Sequence, residues 1–295
     1  MLAAMEHVLA VDVGGTKVAA GVVDAKGAIV SRDQVPTEGA DGDALFATIA
    51  ALVDVVRSEA DVDLAGCGIG SGGPMSAGGE TVSPLNIEQW RDFPLRARMA
   101  DHTGLDTCVD NDAKALALGE GWRGAAVGYR NYLAMVVSTG VGGGIVVDGH
   151  LLDGAGGNAG HIGHLNVVPD GRLCPCGSHG CLEAEASGTA IAEITGRSAK
   201  EATDDVKRHT GALVGRAVGS VASLLDIELA CVAGSVALGF GDTFFAAAQA
   251  GVERHARISY GRDTVIRAGG LGPDGPLVGA AAVAWRALGH DVGVR

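Results

Sequence analysis

The sequence predicts an α/β protein built from two similar domains. Length is the first reason: 295 residues can bury two cores. The second is pattern, because short apolar runs that end in glycine alternate with stretches of helical period. The third is an internal repeat. "LAVDVGGTKVAAGVVD" from Leu9 and "LAMVVSTGVGGGIVVD" from Leu133 align without gaps at an offset of 124. Leu9, Ala10, Val13, Val22, Val23 and Asp24 match Leu133, Ala134, Val137, Val146, Val147 and Asp148. Two glycine hairpins can also look alike by chance, so the repeat alone leaves duplication open. If it is a duplication, each domain offers one glycine turn to a shared cleft. A boundary between residues 112 and 130 follows, giving domains of 1–118 and 119–295.

The elements read in order. "HVLAVDVG", "KVAAGVVD" and "AIVSRDQVP" are strands, with Asp24-Ala25-Lys26-Gly27 as the hairpin turn between the last two. Over residues 43–59, Leu45, Ile49, Leu52, Val53 and Val56 recur on one helical face. A strand ending in "CGIGSGGP" follows, then a short helix near Pro94 to His102, a strand "DTCVD" and a helix from Asp112. The last segment, "PLVGAAAVAWRALG", reads as a helix that could pack on either half.

Composition excludes several classes. Hydrophobic residues at 47% and charged residues at 19% suit a soluble globular protein. No apolar run reaches the roughly 18 residues of a membrane span. "MLAAMEHVLAVDVGG" carries an acidic residue where an export signal wants basic ones, so it reads as a first strand and the protein as cytoplasmic. A net charge of −13 argues against nucleic acid, whose backbone demands a basic surface. An aromatic content of 4% leaves few platforms for stacking bases. An acidic chain can still hold a small phosphorylated ligand through backbone N–H groups and a metal. The 48 glycines cluster where strands should end, as turns that let a ligand approach rather than as a linker.

"DVGGTK" is the first such turn. Gly14 and Gly15 let backbone N–H groups approach a phosphate, Thr16 adds a hydroxyl, Lys17 a charge, and Asp12 can hold a hydrated Mg²⁺. It fits neither the dinucleotide nor the P-loop fingerprint, and an ordinary hairpin turn is the plain alternative. "STGVGGG" repeats the logic with Ser138, Thr139, Gly140 and Gly142. "VDNDAKALALGE" sets Asn111 and Asp112 where a strand ends and a helix begins. Asp112 alone could simply cap that helix. Between two phosphate turns, a carboxylate is what alcohol phosphorylation needs to take the proton of the attacking hydroxyl. Asn111 beside it could hold a neighbouring hydroxyl.

The densest cluster is "AGHIGHLNVVPDGRLCPCGSHGCLE", with three of the six cysteines. Without an export signal a disulfide framework is not expected. His164, Cys174, Cys176 and Cys181 supply the four soft ligands of a closed, tetrahedral structural Zn²⁺ site, reduced thiols being the alternative. Such a site has no open position for water and therefore no direct catalytic role. Cys67, Cys108 and Cys231 lie in apolar strands and read as small buried hydrophobes.

"DVGGTK", "NDAKALALGE", "STGVGGG" and above all "GHIGHLNVVPDGRLCPCGSHGCLE" resemble the ROK family of sugar kinases and repressors across essentially the whole chain. The last stretch is similar to the family's zinc signature, Gly-Glu-X-Gly-His followed by Cys-X-Cys-Gly-X-X-Gly-Cys-X-Glu. The resemblance implies an actin-like ATPase (ribonuclease H-like) fold with an interdomain active-site cleft. It implies phosphoryl transfer from Mg·ATP to a hexose hydroxyl, usually that at C6, and a homodimer. Carried over by position, Asp112 is the general base and Asn111 a sugar ligand. His164 binds zinc while its loop faces the sugar, and Glu183 accepts from sugar hydroxyls. Gly73 and Asn86 fall where the family contacts the sugar. Gly234 stands where the family has a glycine pair near the adenosine, the second glycine here being Ser235.

One departure bears on substrate. Where the signature has glutamate this chain has His161. A carboxylate accepts two hydrogen bonds from vicinal hydroxyls, whereas a neutral imidazole accepts one and donates one. Either the change is tolerated in a glucokinase, or the substrate is an amino sugar, another epimer or a cyclitol. A sugar-responsive repressor would carry a winged helix-turn-helix before the first glycine turn, and only 11 residues precede Asp12. A catalytically dead sugar binder would not need Asp12, Thr16 and Asp112 together. The expectation is an ATP-dependent sugar kinase.

Overall fold

The computed structural model describes residues 6–295, so the reading of the first five residues lies outside the described part. Two compact units make up the chain. The first runs to Gly124 and takes in Asp153–Ala159 and Leu271–Arg295; the second holds Ala125–Leu152 and Gly160–Gly270. The first unit passes residue 118 because one unbroken helix runs from Asp112 to Arg123.

In the first unit, β1 (His7–Val13), β2 (Lys17–Asp24) and β3 (Ile29–Pro36) form an antiparallel meander. Helix α1 (Gly42–Ala60) follows; the Asp41 carboxylate caps it by accepting from the Ala44 N–H at 2.8 Å. Its expected apolar face, Leu45, Ile49, Leu52, Val53 and Val56, is buried. Next come β4 (Leu64–Ser71), α2 (Leu95–Thr103), β5 (Thr107–Asn111) and α3 (Asp112–Arg123). Strands β4 and β5 add to β1 in parallel, giving the order β3-β2-β1-β4-β5.

The last helix, Gly275–Ala287, belongs to this unit and lies against the sheet. Gly68 on β4 makes that approach possible: a Cβ there would sit 2.0 Å from the Ala280 carbonyl oxygen. Any side chain at Gly68 would push the helix away.

The second unit repeats the plan. Its sheet contains β6 (Tyr132–Val137), β7 (Val141–Val147) and the short β8 (His150–Leu151) as an antiparallel meander. Helices α4 (Leu182–Ala186), α5 (Gly188–Thr195) and α6 (Asp204–Leu225) precede β9 (Leu229–Ala233). Helix α7 (Ser235–His255) then leads to β10 (Val265–Ala268). The order is β10-β9-β6-β7-β8, with β6, β9 and β10 parallel. The gapless sequence repeat is therefore also a repeat of strand order. Val13 pairs with Val18 across the first turn and Val137 with Val141 across the second.

Cys67 and Cys231 are buried in β4 and β9, and burial pushes the Cys67 thiol up to about 12. Cys108 departs from the expectation, being only half-buried on edge strand β5.

Candidate functional site

In the first unit, parallel register gathers the acidic groups. Asp12 on β1 lies beside Gly70 on β4, and Gly70 beside Asp110 on β5, one residue before Asn111. These are the carboxyl ends of parallel strands, where open α/β sheets collect ligands. Gly70 leaves a gap between two carboxyl-bearing residues: a Cβ there would lie 3.4 Å from Asp112 Cα and 3.5 Å from Asp12 Oδ1. Burial first, and then the charge of Asp112, push the Asp12 carboxyl up to about 7, with Lys17 pulling the other way. Two carboxylates so placed favour a cation or a shared proton.

The helix cap that could have explained Asp112 is made by its neighbour. Asn111 Oδ1 accepts from the N–H groups of Ala113 at 3.1 Å and Lys114 at 3.3 Å. Asp112 sits in the first turn of α3, its Oδ1 accepting from the Ala113 N–H at 2.8 Å.

The first glycine turn is held from behind. Gly14 N–H donates to the Lys17 carbonyl at 3.1 Å, and Thr37 donates from its hydroxyl to the Gly14 carbonyl at 2.7 Å. Gly15 and Thr16 form its tip, with Thr16 exposed. Lys17 begins β2, and its ammonium donates to Gln34 Oε1 at 3.2 Å. Asn86 leans on the tip: a Cβ on Gly15 would lie 2.2 Å from the Asn86 amide nitrogen. The Leu85 N–H donates to the Gly73 carbonyl at 3.3 Å, which brings Gly73 and Asn86 to the same turn.

In the second unit the turn is Ser138–Gly140. Ser138 N–H donates to the Gly140 carbonyl at 2.9 Å, and Gly188 N–H at the start of α5 donates to the Ser138 carbonyl at 2.7 Å. Gly142 lies inside β7 opposite Val136, away from the turn. The Glu183 carboxylate braces the turn, its Oε2 accepting from the Val141 N–H at 2.8 Å. Gly234, at φ 99°, joins β9 to α7 so close to Val137 that a Cβ would lie 2.4 Å from its carbonyl oxygen. The hydroxyls of Ser138 and Ser235 are hydrogen-bonded at 2.9 Å.

The ligand atoms of His164, Cys174, Cys176 and Cys181 all lie within 4.8 Å of one another. Cys176 Sγ and Cys181 Sγ are 3.7 Å apart, and Cys174 Sγ and His164 Nδ1 are 3.6 Å apart. A tetrahedron with ordinary zinc bond lengths has S–S edges of about 3.8 Å and S–N edges of about 3.6 Å, so the donor set fits the ion. The His161 ring stacks near that of His164, 5.9 Å between centroids, with its Nε2 buried.

The sequence pattern of the ROK family matches residues 8–287. The chain belongs to the ROK family. It is 41% identical over 243 residues to a glucokinase of Halalkalibacterium halodurans, covering 78% of this chain and 73% of that one. It is 37% identical over 250 residues to an N-acetylmannosamine kinase of Salmonella arizonae, covering 79% and 84%. A ROK family glucokinase from Streptomyces griseus, solved in complex with glucose and AMPPNP, matches with a TM-score of 0.83 at 32% identity, over 93% of this chain and 98% of that one. The fold is the actin-like ATPase fold of the ROK kinases.

Three polar residues of this ROK chain escaped sequence reasoning. Thr37 and Ser235 support the glycine turns, and Lys114 is buried at the start of α3. Only Ser235 left a signal, as a hydroxyl in the place of a family glycine.

Proposed function

We propose that this ROK protein is an ATP-dependent hexose kinase, transferring the γ-phosphate of Mg·ATP to a hydroxyl of a hexose such as glucose, that at C6. The observation that carries the reading is the pair of carboxyl-bearing residues, Asp12 and Asp112, flanking Gly70 at the ends of parallel strands beside a glycine turn. The likeness to a glucokinase solved with glucose and AMPPNP supports it.

Asp112 is the general base: its carboxylate accepts the proton of the attacking hydroxyl and orients the oxygen toward the phosphate. Asn111, Gly73, Asn86, His161, His164 and Glu183 contact the sugar, Glu183 through the oxygen that Val141 does not use. The N–H groups and hydroxyls of Gly14, Gly15, Thr16, Ser138, Thr139 and Gly140, with Gly142 behind them and Lys17 beside, hold the phosphates. Gly234 lies toward the adenosine. Asp12 would hold Mg²⁺ through water, and the ion when bound neutralises charge developing on the phosphates. His164, Cys174, Cys176 and Cys181 would hold a structural Zn²⁺ that stiffens the loop carrying His161. The reading includes a cytoplasmic homodimer; among the described residues no helix is long and apolar enough to cross a membrane.

His161 favours a second reading, in which the acceptor is an amino sugar or cyclitol. The 37% identity to an N-acetylmannosamine kinase supports it as well. ADP release measured against a panel of hexoses, N-acetylated hexosamines and cyclitols tests both. Turnover of glucose supports the first reading and selective turnover of an amino sugar the second. Flat responses across the panel would leave only a non-catalytic sugar binder.

A further inference from the structure

The Lys114 side chain is 3% exposed, yet it carries a charge and sits two residues after Asp112. Its ammonium lies 2.8 Å from Asp110 Oδ1 and 2.7 Å from Asp153 Oδ1, and donates to the Gly157 carbonyl at 3.3 Å. An ammonium makes three hydrogen bonds, and all three are used. Asp110 is the residue on β5 that lies level with Gly70. Asp153 and Gly157 belong to a different stretch, the seven residues Asp153–Ala159 that join the first unit although they follow β8. A second clamp holds the same stretch. Asn158 Oδ1 accepts from the Met75 N–H at 3.1 Å, and Asn158 Nδ2 donates to the Met75 carbonyl at 2.9 Å. The chain runs directly from this stretch into Gly160 and the turn that carries His161 and His164.

We propose that Lys114 is a positioning residue for sugar binding, tying the strand end that presents Asn111 and Asp112 to the stem from which the His161–His164 turn departs. Burial is the reason for thinking the tie matters. Asp110 is buried enough that desolvation raises its carboxyl, and Lys114 is the cation that pulls it back down. A lysine needed only to neutralise Asp110 would not also reach Asp153, whose side chain is 55% exposed and is already solvated. The second carboxylate and the Gly157 carbonyl fix where the stem lies. The inference rests on the sugar-kinase reading for its kinetic consequence, but not for its mechanical one.

Asp153→Ala is the decisive variant, because it removes the acceptor at the exposed end of the tie and leaves the buried Lys114–Asp110 pair intact. An exposed partner contributes little to stability, so the variant should melt within a few degrees of the parent. Its KM for glucose, or for the best acceptor of the panel, should rise on the order of tenfold while KM for ATP holds, as for a binding loop displaced by less than 1 Å. Amide hydrogen exchange over residues 153–164 should quicken. The double variant Asp110→Asn/Lys114→Met removes the buried charges together; it should keep the fold and still show the raised sugar KM. A parental sugar KM in either variant, or a parallel rise in both KM values with a lowered Tm, overturns the proposal. If the parent turns over no sugar, the kinase reading fails, and hydrogen exchange alone decides: unchanged exchange over 153–164 in Asp153→Ala overturns the tie.

Discussion

Glu183 and Val141 are joined across 42 residues of sequence: the Glu183 Oε2 accepts from the Val141 N–H at 2.8 Å, at the foot of the second glycine turn. The same oxygen would lie 2.7 Å from a Cβ on Gly140, so the turn is shaped around this carboxylate. Glu183 thus has two possible duties, one toward the turn and one toward the sugar. Glu183→Gln keeps an oxygen to accept from Val141 and loses only the charge. It should leave KM for ATP in place and raise KM for the sugar by about ten- to a hundredfold, the worth of one charge-assisted hydrogen bond. Glu183→Ala should raise both. Steady-state kinetics with each substrate varied separates the cases, and a Gln variant affected only toward ATP would remove Glu183 from the sugar site.

Asp112→Asn tests the base. The amide oxygen can still accept from the Ala113 N–H, so α3 should start as before. Loss of general-base catalysis should lower kcat by about 10²- to 10⁴-fold, with sugar binding retained by calorimetry. Turnover near that of the parent would transfer the role to another group.

What was legible in the sequence is what is encoded locally. The two glycine turns, the apolar face of α1 and the four zinc-type ligands each lie within a short window, where period and spacing report directly on contact. A run of glycines hides where a strand resumes, and only pairing with Val136 places Gly142 in β7 behind the turn. Lys114 and Asp153 are 39 residues apart, and nothing in "DAKALALGE" distinguishes a buried lysine from a solvated helical one. The return of Asp153–Ala159 to the first unit is equally silent, since it depends on the fold of both partners rather than on its own composition.

The raised Asp12 carboxyl makes stability depend on pH. In the unfolded chain this group loses its proton near pH 3.9, whereas in the folded chain it holds it up to about 7. Between those values the folded state binds more protons, so stability falls as pH rises and levels off above the folded pKa. Asp110, raised by burial, acts in the same direction. In EDTA, the parent should therefore lose Tm between pH 5 and 7.5, and Asp12→Asn should lose less. Mg²⁺ needs the ionised carboxylate, so kcat/KM for Mg·ATP should climb through the same range. A variant whose Tm tracks the parent at every pH would show that Asp12 is ionised throughout.

Metal removal tests the cysteine cluster. Cys176 is exposed while Cys174 and Cys181 are buried, which makes Cys176 the ligand a chelator reaches first. Atomic absorption should find about one zinc per chain, as four soft donors on a single tetrahedron require. Stripping it, or Cys176→Ser, should weaken sugar binding more than ATP binding, because the His161–His164 turn and α4 with Glu183 are anchored at Cys181 and His164. Full sugar affinity in metal-free protein would separate the zinc from the sugar site.

His161 decides between the two substrate readings. Its ring stacks near that of the zinc-type ligand His164 with its Nε2 buried, and it stands where the ROK signature has a carboxylate. A carboxylate can accept from two vicinal hydroxyls at once, and glucose offers them. An imidazole can donate to one acceptor, and the carbonyl of an N-acetyl group is such an acceptor. His161→Glu should therefore move the ratio of kcat/KM for glucose over N-acetylmannosamine toward glucose by about tenfold or more, one hydrogen-bonded group exchanged for another. Zinc content measured on the same sample must stay at the parental level, since His161 touches His164 but is not one of the four ligand residues. An unchanged ratio at full zinc occupancy would mean that His161 is a tolerated replacement and that acceptor choice is made by Asn111, Asn86 or Glu183 instead.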